Sequence, residues 1–352
     1  MKILIDINHP AHVHYFRNFY EIMTEKGHQI LVVSRNKEIE HQLLEYYNIP
    51  FINRGKGKEG KIGKFVYLVY ADLKLLTIAL RFKPDVFLNF LHPYPSQVAK
   101  LLGKTSLVFS DSEHAALHHK LTVPFATKIF TPSCYRIDLG EKQVRFNSFM
   151  ELSYLHPNYY TPNPDIFQIL GISPGERYVI VRFVSWAAAH DFGHAGISLE
   201  NKTKAVLEMS KLVKVFISSE KELPEKLKPF QIRIPLHRIH DALYYSSMLF
   251  GESGTMTSEA AVLGTPAIFL NDNGLGYTDE EEHEYGLVYN YTESPVDQER
   301  AIEKAIELLQ KPHLDLEFKS KREKLLSDKL DTTQFMMEAI ENLDLVKKAL
   351  SN

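Results

Sequence analysis

Short apolar runs and amphipathic stretches alternate along most of this chain. Residues 2–7 form the first run, and Phe16, Phe19, Tyr20 and Met23 then recur at helical spacing over 13–26 until Gly27. The same reading predicts strands at 29–34, 50–53, 84–88, 106–110 and 128–131, with helices at 38–47, 63–82 and 96–102. Strands that are almost continuously apolar, separated by helices, predict a doubly wound parallel sheet. The pattern breaks between 154 and 176, where Pro157, Pro162, Pro164 and Pro174 mark loop chemistry and a domain joint. It then resumes with strands at 178–183, 214–218, 231–234 and 267–270, and helices at 200–212 and 239–245. From 298 onward the chain reads as helices at 299–310, 316–328 and 332–351. The expected organisation is a domain over 1–155, a linker over 156–176 and a second domain over 177–330. A terminal helix at 331–352 is placed to cross back to the first domain.

One stretch in the second half carries a chemical suggestion of its own. Met248-Leu249-Phe250 ends a strand, Gly251 to Thr255 is a small-residue loop, and a short helix carries Ser258 to Leu263. Gly264 stops that helix and Pro266 prevents its resumption. A strand, a glycine-containing loop and a helix N-terminus make an anion site, because unpaired N–H groups and the helix dipole point into the loop. Ser253, Thr255 and Thr257 add hydroxyl donors there, and Glu259, one turn in, would hold a ribose diol. A plain helix cap and tight turn is the alternative for the same residues.

Composition narrows the class. The 352 residues suffice for two domains, and 44% hydrophobic with 24% charged residues is ordinary for a globular protein. A net charge of −3 gives no electrostatic case for nucleic acid. The single Cys134 excludes an internal disulfide framework and a cysteine zinc site, and fits a reducing compartment. No signal-peptide apolar region precedes the first strand, and Asp72 and Lys74 interrupt the most apolar segment, 65–80. The expectation is a cytoplasmic protein.

Asp6-Ile7-Asn8-His9-Pro10-Ala11-His12, Asp111-Ser112-Glu113-His114-Ala115, Val181-Arg182-Phe183-Val184-Ser185-Trp186 and the stretch from Gly251 to Pro266 occur in an order that resembles the GT-B glycosyltransferase superfamily. Within it the chain is similar to UDP-N-acetylglucosamine 2-epimerase and to MurG-type N-acetylglucosaminyltransferases. It is most similar to a domain-of-unknown-function family of microbial proteins. The resemblance covers essentially the whole chain. It implies an α/β fold of two Rossmann-like doubly wound parallel-sheet domains facing a central cleft, whose closure brings the halves together. It also implies transfer of a sugar from a nucleotide diphosphate sugar, with UDP the expected nucleotide, to a glycan or lipid-linked acceptor. The nucleotide sugar would then be a substrate, with no cofactor and no metal. The donor would lie on the second half, at Ser253, Gly254, Thr255, Glu259 and Arg182, with His237 and Arg238 where such folds contact the base. His12 and Glu113 would be the catalytic acid–base candidates on the first, acceptor half. Glu113 matches the glutamate of the epimerase pattern His-x-Glu-Ala-Gly-Leu. The epimerase Pro-Glu-Glu motif is absent, since Pro124 is followed by Phe125-Ala126, and Asn89 to Pro93 stands where its Gly-Asp-Thr aspartate would fall. Those losses put epimerisation behind transfer, with a nucleotide-sugar-binding protein without turnover as the third alternative.

Other patterns add cleft candidates or drop out. His9 shares the loop of His12, and Trp186, His190 and Asp191 come after Arg182 as residues able to touch donor or acceptor. The His190/His194 pair has metal-ligand spacing, but Gly193 and Gly196 oppose the helix that would align the rings. Gly55 to Gly60 matches G-x-G-x-x-G, yet comes after the third predicted strand, with no acid at the ribose distance. Over 54–83 the basic residues Arg54, Lys56, Lys58, Lys61, Lys64, Lys74, Arg81 and Lys83 face only Glu59 and Asp72. They border Phe65, Tyr67, Leu68 and Tyr70, which makes this edge a candidate for peripheral membrane contact. A solvated loop beside a core helix is the competing reading.

Overall fold

The computed structural model describes all residues except 37–38, 58–59, 185–195, 220 and 343–352; for 61–62 and 64–66 only the backbone is described. The chain falls into two compact units, one of Met1–Tyr154 with the segment from Lys329 onward, the other of Leu155–Asp328.

The first unit begins β1 (Lys2–Ile7), α1 (Pro10–Glu25), β2 (Gln29–Ser34), α2 (Glu40–Tyr46), β3 (Phe51–Asn53) and α3 (Gly60–Phe82). It continues β4 (Val86–Phe90), α4 (Pro93–Leu101), β5 (Thr105–Phe109), α5 (Ala116–Thr122), β6 (Lys128–Pro132), β7 (Gln143–Phe146) and α6 (Leu152–Leu155). The strands pair in parallel in the order β3-β2-β1-β4-β5-β6-β7. Helices cover the faces, so β4 and β5 are buried along their whole length, which is why they read as unbroken apolar runs. Leu4, Val33 and Phe87 meet Leu75 and Ala79 of α3 and Val98 and Ala99 of α4 in one core.

The second unit runs α7 (Ile166–Leu170), β8 (Tyr178–Phe183), α8 (Leu199–Ser210), β9 (Lys214–Ser219), α9 (Ile239–Tyr245), β10 (Leu249–Gly251) and α10 (Gly254–Leu263). It continues β11 (Ala267–Leu270), α11 (Gly276–His283), β12 (Val288–Tyr291), α12 (Pro295–Gln310) and α13 (Leu314–Asp328). Its parallel sheet has the order β12-β11-β10-β8-β9. The segment 156–176, expected as a linker, lies in this unit, and α7 packs on α9. After α13 the chain returns to the first unit, where α14 (Thr332–Glu341) packs on α1. Thr332 and Thr333 of α14 donate hydroxyl hydrogen bonds to the carbonyls of Phe149 and Ser153, both at 2.7 Å.

Both sheets reverse direction once. The first unit's order turns between β1 and β4, and the second unit's between β8 and β10. At such a switch point the loops leaving adjacent strands run to opposite faces and open a crevice at the carboxyl ends. One expected strand is absent: 231–234 makes a single bridge, Gln231 to Ile217, before Pro235. Arg54, read from sequence as part of a flexible basic edge, is fully buried.

Candidate functional site

The second unit's switch point is built by Gly251 and the loop and helix after it, 252–263. Gly251 pairs with Arg182 of β8, and a Cβ on Gly251 would come within 2.1 Å of the Arg182 carbonyl oxygen, so the strands meet here because position 251 lacks a side chain. Ser253 then caps α10, its hydroxyl accepting from the Met256 amide at 3.4 Å. The Gly254 and Thr255 amides, in the first turn, take no partner among the described residues, which leaves the donors and the helix dipole facing outward. A Cβ on Gly254 would meet the Leu275 Cδ1 methyl at 2.3 Å and the Tyr277 hydroxyl at 2.6 Å, so a side chain here requires those two side-chain ends to move.

Glu259 is 5% exposed, and its Oε1 lies 2.9 Å from His240 Nε2. His240 belongs to α9, directly after the turn that carries His237 and Arg238. The pair therefore ties the candidate base-contact segment to the candidate ribose residue. Arg238 turns to Asp241 at 2.5 Å, and Asp241 also accepts from the Tyr160 hydroxyl at 2.7 Å and the Asn163 amide at 3.0 Å. Burial, with Arg238 alongside, holds the His237 pKa below its ordinary value. Arg182 donates from Nη1 to Ser218 Oγ at 3.1 Å, on the β9 side of its strand.

Glu252, which the sequence did not single out, is the organising carboxylate of the loop. It accepts from the Val184 amide at 2.9 Å and the Ile197 amide at 2.6 Å, and pairs with Lys202 at 3.1 Å. Lys202 is 1% exposed, and burial pulls its pKa down against the pull of Glu252. The residues on both sides of 185–195 are thus held to the phosphate-type loop. Trp186, His190 and Asp191 lie outside the described residues.

The first unit's switch point gathers histidines. His9 caps α1, its Nδ1 accepting from the Ala11 amide at 3.2 Å, and His12 sits one turn on. The His12 ring lies 5.7 Å from His9, 4.8 Å from Phe90 and 5.8 Å from His92, which leaves β4 across the switch point. Leu91 reaches His92 through a left-handed backbone (φ 44°), a strained state for a non-glycine residue. Burial pulls the His92 pKa well below its ordinary value, and His118, Arg54, Arg35 and His9 add to the shift. His92 is neutral at pH 7.

Two acids from the β5 loop divide their roles. Glu113, the candidate taken from sequence, is buried and accepts from the Arg136 amide at 2.5 Å, which fixes the loop after β6. Asp111 accepts from the Tyr15 hydroxyl at 3.3 Å and the Ser112 hydroxyl at 3.1 Å. Burial raises its pKa to about 6 despite those bonds. A carboxyl titrating there is suited to moving protons near neutral pH. Beneath the cluster, Arg54 pairs with Asp6 at 3.3 Å, bonds Asn8, and lies 4.5 Å from the Tyr94 ring centre. Burial raises the Asp6 pKa against the opposing pull of Arg54.

Known proteins agree with this architecture. An uncharacterized protein of Methanocaldococcus jannaschii is 25% identical over 280 residues, 76% of this chain and 81% of its own. UDP-GlcNAc 2-epimerase from Neisseria meningitidis, solved bound to UDP-GlcNAc, superposes with a TM-score of 0.71 at 14% identity, covering 97% of this chain and 100% of that one. The spinosyn rhamnosyltransferase complexed with spinosyn aglycone superposes at 0.60 and 13% identity, covering 98% and 100%. The fold is therefore of the GT-B type, two Rossmann-like α/β units with parallel sheets. Over residues 1–342 the chain matches, and belongs to, the family described as Protein of unknown function (DUF354).

Proposed function

We propose that this chain is a glycosyltransferase that takes a sugar from a nucleotide diphosphate sugar, a UDP-sugar, and passes it to a glycan or lipid-linked acceptor. The observation that carries this reading is the second unit's switch point, where a glycine-dependent loop and a free helix N-terminus stand beside a buried Glu259 oriented by His240. The amides of Gly254 and Thr255 and the hydroxyls of Ser253 and Thr255 would receive the diphosphate, and Arg182 would add charge against the departing group. The Glu259 carboxylate would take the ribose hydroxyls, and the His237–Arg238 turn would meet the base. Leaving-group stabilisation by these protein groups needs no metal or cofactor. On the first unit, His12 would take the acceptor proton, with Asp111 beside Glu113 as the carboxyl whose pKa suits the exchange. Soluble-nucleotide recognition is testable directly. By calorimetry, Glu259→Ala should weaken UDP binding about tenfold or more, the order expected for losing a charged hydrogen bond, while His12→Ala should bind UDP normally and lose turnover. Normal UDP binding by both variants would overturn the donor assignment.

A second reading is supported by the higher structural similarity to the Neisseria meningitidis epimerase than to the rhamnosyltransferase. Under it the same donor corner would serve 2-epimerisation of a UDP-sugar. Incubation with UDP-GlcNAc alone, with NMR of the sugar as the readout, separates the two, because transfer requires an acceptor and epimerisation does not.

A further inference from the structure

We propose that the outer face of α3 docks on an anionic lipid bilayer, with the helix lying in the interface. The helix is apolar on two opposite sides. Tyr67, Ala71, Leu75 and Ala79, at fourfold spacing, form its buried stripe, each 4% exposed or less. At 100° per residue, Val69, Leu73 and Leu80 fall within a narrow arc on the far side, with Tyr70 beside them. Their exposures are 44%, 60%, 56% and 47%. A helix in an ordinary α/β layer presents polar residues there, and scattered apolar exposure does not line up along one face. This face offers only Thr77 between Leu73 and Leu80.

Charge selects the partner. Lys74 and Arg81 border the stripe on one side, Lys83 lies just past the helix end, and exposed Lys56 precedes its start. Within 60–83 the only acid is Asp72, which is half-buried. Burial raises its pKa to about 6; Glu59 precedes the helix and Asp85 follows it, against Lys56, Lys74, Arg81 and Lys83. Long basic side chains beside an exposed apolar stripe suit anionic headgroups, where the stems lie along the acyl boundary and the charges stay wet. A second copy paired across a two-fold axis would set Lys74 and Arg81 against their own images. No helix among the described residues is long and apolar enough to cross a membrane, so α3 lies on the surface rather than through it. Arg54, being buried beside Asp6, takes no part.

This inference stands apart from the donor assignment. The full chain is floated with vesicles of 30% phosphatidylglycerol in phosphatidylcholine and with phosphatidylcholine alone. Binding should be confined largely to the anionic vesicles and fall with added salt. L73E/L80E should lower it at least tenfold, and L73S/L80S should lower it without added charge. The thermal unfolding midpoint should stay unchanged in both variants, which reports an intact fold. Absence of binding to anionic vesicles, or equal binding by the variants, would overturn the proposal. So would a wild-type dimer that the substitutions convert to monomer, because the face would then belong to a second copy.

Discussion

Asp111 and Glu113 lie two positions apart, yet burial and partners give them different chemistry. Glu113 spends its carboxylate on the Arg136 amide, whereas Asp111 is held near pKa 6 by desolvation. A carboxyl raised above its unfolded value keeps a proton that the unfolded chain has released, so its contribution to stability falls as pH rises from about 4 through 6. Asp111→Asn should therefore raise stability at pH 8 by at most about 3 kcal/mol, and by nothing below pH 4. Urea unfolding at the two pH values checks this. Little of it was legible in the sequence. The motif around Glu113 drew attention to the residue that matched a pattern, whereas Asp111 became a candidate only through its burial and the Tyr15 hydroxyl. Arg54 was misplaced for the same reason: a basic residue in a basic stretch reads as surface until Asp6 is found beside it.

At the scale of elements, strand interiors were legible and starts and edges were not. The helices expected from 13, 96 and 299 begin at Pro10, Pro93 and Pro295. In the first turn proline's missing N–H costs no hydrogen bond and its fixed φ favours the helix, so each helix starts at its proline, ahead of the first periodic apolar residue. β7 and β12 escaped notice because each is the outermost strand of its sheet and only partly buried, so neither shows a continuous apolar run. By contrast β10, its loop and α10 were anticipated, since glycine, cap and stop all fall at the positions the geometry requires. That junction also yields a test. Gly251→Ala would press a methyl onto the Arg182 carbonyl, and should destabilise by about 3 kcal/mol, the upper range for overpacking. A thermal melt of wild type and variant gives the answer, and an unchanged midpoint would show that the strands can part at no cost.

At the scale of the molecule, the first unit is completed by residues from the far end of the chain. Met336, Met337 and Ile340 of α14 are buried, and Phe335 stacks on Phe146 at 4.9 Å. At about 2 kcal/mol for each of the first three, their loss approaches the whole stability of a typical domain. Truncation after Asp328 should therefore leave Met1–Tyr154 markedly less protected in amide hydrogen exchange while β8–β12 stay protected; equal protection in both would refute it. Two domains and a terminal helix crossing back to the first were expected from the sequence, whereas the place of 156–176 in the second unit depended on contacts that no local pattern encodes. The chain leaves the first unit after Tyr154 and re-enters at Lys329, and the Leu330 amide donates to the Asn147 carbonyl at 3.0 Å. Departure and re-entry thus occur at neighbouring points of one scaffold. Topologically the second unit is therefore an insertion, a loop of 174 residues, Leu155–Asp328, hung from a sheet that closes without it.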